Sequence, residues 1–139
     1  MTDARVAYVD AEPNGLAAMV GGLIEANLLR HPRRLQLLRP AVIDLVALDA
    51  DVAVSLSFDR QQVRVANGIA NGRADVRVTT DSLSLVELAG APLRLGLPDV
   101  LHPEGRLVAR KVLAREIRIE GLLRHPLKLS RVTRLLSVV

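Results

Sequence analysis

At 139 residues the chain has the length of one domain with a single core. It has no cysteine, which excludes disulfides, thiolate zinc sites and cysteine nucleophiles and is compatible with a cytoplasmic setting. Charge is uneven: residues 1–100 carry 10 Lys/Arg against 12 Asp/Glu, whereas residues 101–139 carry 9 against 3, so the basic character belongs to the C-terminal segment.

Half of the residues are hydrophobic, yet Tyr8 and Phe58 are the only aromatics. Such an aliphatic excess either packs as a tight core or lines a cavity or interface. Met1–Tyr8 shows no basic region followed by an apolar run, and the apolar stretch Leu16–Leu29 is broken by Glu25 and too short to span a bilayer. One soluble domain over 1–139 is expected, with residues 1–12 as a flexible N-terminus.

Along the chain, Glu12-Pro13-Asn14 reads as a helix start. Leu16, Met19, Val20, Leu23, Ile24 and Leu28 then recur at helical spacing. Gly21-Gly22 costs this helix about 1 kcal/mol per glycine relative to alanine. Close helix packing explains such glycines, and so does room for a ligand. A short second helix is predicted over Pro32–Arg39, ended by Pro40.

Ala41–Leu48 is a dense aliphatic run followed by a turn at Asp49-Ala50-Asp51. Val52, Val54, Leu56 and Phe58 alternate with small residues, Val63 and Val65 flank Arg64, and Ala74, Val76 and Val78 alternate with polar residues. Asn67-Gly68 and Asn71-Gly72 mark a loop. These four strands are predicted to form an antiparallel meander.

Asp81 caps a helix that runs through Leu83, Val86 and Leu88 to Gly90. Ala91–Leu101 reads as a loop and Pro103–Leu113 as a helix. Ile117 and Ile119 alternate in a fifth strand ending at Gly121, and Pro126–Val139 places Leu129, Val132, Leu135, Leu136 and Val139 on one helical face. The expected fold is therefore α+β, a five-stranded, mainly antiparallel sheet with helices packed on one face.

All three histidines, His31, His102 and His125, precede proline. Helix starts explain them better than metal ligation, because no acidic residue accompanies them at a consistent spacing. No phosphate-binding glycine loop and no nucleophile elbow is present. Asp49, Asp51 and Asp59 fall at turns and strand ends, where solvation is the default. No cofactor, no metal and no enzymatic activity are expected.

The run Ala74-Asp75-Val76-Arg77-Val78-Thr79-Thr80-Asp81-Ser82-Leu83, then Leu85-Val86-Glu87-Leu88-Ala89-Gly90, and the late strand Glu116-Ile117-Arg118-Ile119-Glu120-Gly121 resemble the sterol carrier protein type 2 (SCP2-like) domain. The likeness runs from about Leu16 to the C-terminus. It implies a five-stranded sheet whose helices enclose an apolar tunnel for a lipid, acyl chain or sterol, bound without cofactor. With one phenylalanine and no tryptophan, an acyl chain suits such a tunnel at least as well as a sterol.

The expected function is thus non-catalytic binding or transfer of an apolar small molecule. Candidate wall residues are Val20, Gly22, Leu23, Ile24, Phe58, Val78, Leu88, Leu129 and Val132. Arg124, Lys128, Arg131 and Arg134 form a basic stripe on the last helix that suits peripheral contact with an anionic membrane. Nucleic acid is the less favoured partner, because stacking aromatics and recognition motifs are lacking. A protein-interaction module on the same fold, without an open cavity, is the other alternative.

Overall fold

Val52, Val54, Leu56 and Phe58 alternate with Ala53, Ser55 and Ser57, and this period of two sets the middle of a mixed sheet of six strands. The computed structural model describes residues 5–85, 93–94, 97–98, 110, 118–121 and 124–136. In chain order the elements are β1 (Val6–Tyr8), α1 (Gly15–Arg30), a 3-10 turn (Pro32–Leu37), β2 (Ala41–Ala47), β3 (Val52–Phe58), β4 (Val63–Asn67), β5 (Val76–Thr80), β6 (Leu93–Arg94), β7 (Leu97–Pro98), β8 (Arg118–Glu120) and α2 (Pro126–Leu136). The sheet order is β1-β4-β3-β2-β5-β8, and β6 pairs with β7 separately.

Register fixes the two faces. Ile43 lies opposite Leu56 on one side and Val76 on the other, and Leu56 lies opposite Val65. Ile43 and Leu45 therefore share a face with Val54, Leu56, Phe58, Val63, Val65, Val76 and Val78, all of them buried. Helix α1 lays Leu16, Ala17, Val20, Ile24 and Leu28 on this face, and α2 packs beside α1 through Leu129, Val132 and Leu135. Both described long helices thus sit on one side of the sheet, as the α+β reading requires.

Two features differ from that reading. Only β2, β3 and β4 form an antiparallel meander; β5 does not extend it but pairs parallel with β2. The connection over residues 68–75 is too long for a hairpin, and positive φ at Gly68, Asn71 and Gly72 lets it turn across the opposite face of the sheet. There the Ala70 amide donates to Asp44 Oδ1 at 3.1 Å. The small side chains of Ala53 and Ser55 on that face leave room for the crossing.

The second difference is a sixth strand, β1, within the stretch expected as a flexible N-terminus. Val6 and Tyr8 run parallel to Val63 and Val65 of β4. An edge of unpaired β4 amides is thereby closed. The segment after it is held as well: Asn67 N donates to Asp10 Oδ2 at 2.7 Å, and Asn67 Nδ2 to the Glu12 carbonyl at 3.0 Å.

Asn14 caps α1, accepting from the Ala17 amide at 2.8 Å, as its position before the helix predicts. Asp81 does the same for the helical turn at Ser82–Leu85, accepting from Ser84 N at 2.7 Å. Pro32–Leu37 is a 3-10 helix rather than an α-helix. The stretch read as a loop from Ala91 to Leu101 contains the short β6–β7 pair. The predicted helix over Pro103–Leu113 and the end of the helix at Gly90 lie outside the described residues.

Candidate functional site

The apolar layer between the sheet and its helices gathers most of the predicted wall. Val20, Ile24, Phe58, Val78, Leu129 and Val132 are all buried in one aliphatic cluster. Phe58 sits between Ala41 of β2 and Val63 of β4, so the chain's one phenylalanine is a core residue at the end of the sheet where β2 and β4 begin. Leu23 is half-buried. Leu88 lies outside the described residues.

Gly22 does not join this group: it is exposed on α1, and a Cβ there meets no atom within 4 Å. Its neighbour Gly21 is the buried one, and a Cβ at that position would overlap the Tyr8 ring. Of the paired glycines, one admits β1 against α1 and the other faces outward. Packing, rather than ligand space, accounts for Gly21.

On the margin of the apolar layer, Ile119 of β8, Leu136 of α2 and Leu35 and Leu37 of the 3-10 turn are only partly buried. Ile119 lies directly opposite Val78, which places partly open aliphatic surface next to the buried wall. A separate apolar cleft of about 410 Å³ lies where the β2–β3 turn meets the start of α1, lined by Asn14, Val46, Leu48, Val52, Ala53 and Ile69 among others. Leu48 and Ile69 at its rim are exposed.

A second cleft, of about 430 Å³, is polar and lies at the other end of β5. Arg73, Asp75, Arg77, Glu120, Arg124 and His125 contribute to it. Asp75 is its hub. Its Oδ2 accepts from the Val42 amide at 2.9 Å and lies 3.2 Å from Lys128 Nζ, while His125 Nε2 stands 3.9 Å from Oδ1. Burial pushes the Asp75 carboxyl up, but the Val42 amide and the Lys128 charge outweigh it and hold the carboxyl below its ordinary value.

Gly121 closes this corner. Its φ of +88° and the Asp75 carbonyl against it exclude a side chain. Arg77 is committed to Asp44, with Nη2 3.3 Å from Oδ2.

The predicted basic stripe is split by these contacts. Lys128 turns to Asp75, Arg124 joins the polar cleft, Arg131 is half-buried and Arg134 is exposed near the end of α2. His31 and His125 precede the 3-10 turn and α2, as helix-start residues. His102 lies outside the described residues. Among the described residues no group of three or more His, Asp or Glu is placed to hold a metal ion. No described helix is long and apolar enough to cross a membrane.

Asp44 and Asp75 organise the structure, and sequence reasoning singled out neither. Asp44 carried one usable signal, a single carboxylate inside the aliphatic run Ala41–Leu48. Asp75 looked like any polar position of an alternating strand.

No protein-family model matches the sequence, and no curated protein matches it. A solved structure does. The protein described as "UbiJ-SCP2 Ubiquinone synthesis protein" superposes with a TM-score of 0.60 at 18% identity, over 88% of this chain and 96% of that one. The chain has an SCP2-like fold.

Proposed function

We propose that this chain binds a long apolar molecule, of acyl or polyprenyl type, without chemical change, against the aliphatic layer between the sheet and its helices. One observation carries the reading. In an SCP2-like fold, the sheet face under α1 is aliphatic at nearly every position, and the partly buried Ile119 borders it beside Val78. The fold neighbour is described as a protein of ubiquinone synthesis, and ubiquinone carries a long isoprenoid chain. That supports a prenylated or acyl ligand over a compact polar one.

The chemistry of the layer sets what it can discriminate. Burial of each methylene contributes about 0.8 kcal/mol, so a long chain gains enough to offset the cost of association. An aliphatic wall offers few directional donors, so selectivity comes from length and shape. Among the described residues Asn27 of α1, Thr80 at the end of β5, Ser84 in the turn after it and Thr133 of α2 are the buried polar exceptions on these elements.

The test is native mass spectrometry with lipid extraction on protein purified from its own host, together with uptake of a fluorescent fatty acid by wild type and by Val78→Phe. A co-purified long-chain amphiphile, and uptake lowered by Val78→Phe with the fold intact, are expected. A bare chain that takes up no acyl probe, with Val78→Phe behaving as an overpacked core at a cost of about 1–3 kcal/mol, would leave only a protein-interaction module.

A further inference from the structure

Two segments of this chain carry cations and no acid. No Asp or Glu lies between Glu25 and Asp44, a stretch that holds Arg30, Arg33, Arg34 and Arg39. None lies after Glu120, where Arg124, Lys128, Arg131 and Arg134 follow. Far apart in sequence, the two segments meet in the fold, because α1, the 3-10 turn and α2 pack on one another. The junction is specific: the buried Asn27 near the end of α1 donates through Nδ2 to the carbonyl of Leu135 near the end of α2, at 2.9 Å. Arg134 comes close enough to Arg34 that burial, and then the Arg134 charge, lower the guanidinium's proton affinity.

A cation in the last turn offsets the negative end of a helix dipole, which accounts for Arg30 and Arg134 one at a time. It accounts neither for the absence of any balancing acid nor for Leu29. Leu29 is 79% exposed, the most exposed large hydrophobic among the described residues, and stands directly before Arg30. Leu127, on the outer side of α2, follows at 72%. Among the described residues Arg30, Arg33 and Arg134 have no carboxylate partner.

Charge is also segregated along the strands. Asp10, Glu12, Asp49, Asp51 and Asp81 gather where β1, β2 and β5 end, beside the N-terminus of α1. The opposite end, where β1, β2 and β5 begin, carries Arg5, Arg39, Arg60 and Arg73. Of its carboxylates, Asp59 is engaged by the amides of Gln61 and Gln62 and Asp75 by Val42 and Lys128, and Glu120 stands exposed on β8 beside Arg77. The chain leaves α1 at Arg30 and reaches that basic end at Ala41. An electric field of this shape turns the basic end toward an anionic surface.

We infer that the joined ends of α1 and α2 form a docking surface for an anionic lipid bilayer, with Leu29 entering the interface and Arg30, Arg33 and Arg134 facing lipid phosphates. An exposed leucine beside arginines suits a surface that is apolar beneath and anionic above. Nucleic acid offers charge without that apolar layer, and no aromatic stands on the basic end to stack on bases: Phe58 is buried, and Tyr8, against Gly21, ends β1 on the acidic side. The surface differs from the basic stripe read on α2 alone, since Lys128 is held by Asp75. It stands independently of what the aliphatic layer binds.

The test is flotation of the full chain with phosphatidylcholine vesicles, with and without phosphatidylglycerol, at low salt. Binding is expected only with the anionic lipid. Arg30→Gln/Arg33→Gln/Arg134→Gln should weaken it by about a hundredfold, roughly fivefold per cation. Leu29→Ser should weaken it by about tenfold. Arg64→Gln/Arg118→Gln, two exposed arginines on the opposite face of the sheet, should leave it within about twofold. Circular dichroism on each variant separates lost docking from lost fold. Equal binding to neutral vesicles, no binding to either, or equal losses in the Arg64/Arg118 control would overturn the proposal. So would duplex oligonucleotide binding of equal strength that ignores Leu29→Ser.

Discussion

Asp44 is fully buried on the sheet face opposite α1 and α2, and replacing it tests how β5 is held beside β2. Its Oδ1 accepts from the Ala70 amide at 3.1 Å, and its Oδ2 takes two long contacts from Arg77, Nε at 3.4 Å and Nη2 at 3.3 Å. Asp44→Ala leaves a part-buried amide and a guanidinium without their acceptor. Loss of a charged acceptor costs a fully buried amide about 1–3 kcal/mol, and the part-buried Ala70 amide falls toward the lower end. The pair with Arg77 adds less than a fully buried bridge would, because the arginine side chain is 30% exposed and water screens it. Together about 2–4 kcal/mol is expected, which for a domain of this size lowers Tm by roughly 6–16 °C. Asp44→Asn keeps an acceptor for Ala70 and should lose about half as much. Denaturant titration of wild type, both variants and Arg77→Met in a double-mutant cycle measures the partition. A loss below about 1 kcal/mol for Asp44→Ala would show that the 68–75 crossing is not anchored there.

The paired glycines of α1 should separate cleanly. Gly21→Ala must push the end of the Tyr8 ring aside, which offsets its helix-propensity gain and should leave it neutral or destabilised by up to about 1 kcal/mol, whereas Gly22→Ala meets open space and should stabilise by up to about 1 kcal/mol; equal effects by thermal melting would contradict the Tyr8 contact. The Asp75 carboxyl, held below its ordinary value, gives a stability contribution that is present above the unfolded carboxylate pKa and lost as pH falls through the lower folded value. Lys128→Met removes one cause of that depression, so the acid limb of its stability profile should be shallower than that of wild type; superimposable acid limbs would mean the 3.2 Å ion pair carries no weight in solution.

Local pattern was readable wherever local pattern decides. The alternation from Val52 to Phe58, the caps at Asn14 and Asp81 and the amphipathic face of α2 are short-range features, and each appears where its spacing puts it. Strand neighbours were not readable in the same way. A parallel β2–β5 pair and an antiparallel β4–β5 pair present the same alternating sequence, and only the length of 68–75 and its positive-φ residues distinguish them. Asp44 marks the answer, since a carboxylate within an aliphatic strand needs a donor supplied from elsewhere. Val6 and Tyr8 were hidden for a different reason. Three residues carry too little periodicity to announce a strand, and β1 exists because β4 presents an edge and Gly21 leaves room for the Tyr8 ring.

The same distinction divides the candidate site. Val20, Ile24, Val78, Leu129 and Val132 belong to periodic apolar faces, so their convergence follows from the elements that carry them. Gly22 was chosen for its size, and size is silent about direction: one residue of helix is a rotation of about 100°, which takes the buried environment of Gly21 to the solvent side. The basic stripe failed as a unit for a similar reason. Spacing of three drifts round a helix, so Lys128 reaches the Asp75 seam while Arg134 points to solvent. What restores a basic surface is tertiary: α2 ends beside Asn27, and this brings Arg134 to the arginines that follow α1. A lipid carrier needs an apolar interior and a means of meeting the membrane that supplies its cargo. Under the proposed function, the apolar wall is built from strand and helix faces legible in one dimension, and the proposed docking surface from two acid-free segments that only the fold joins.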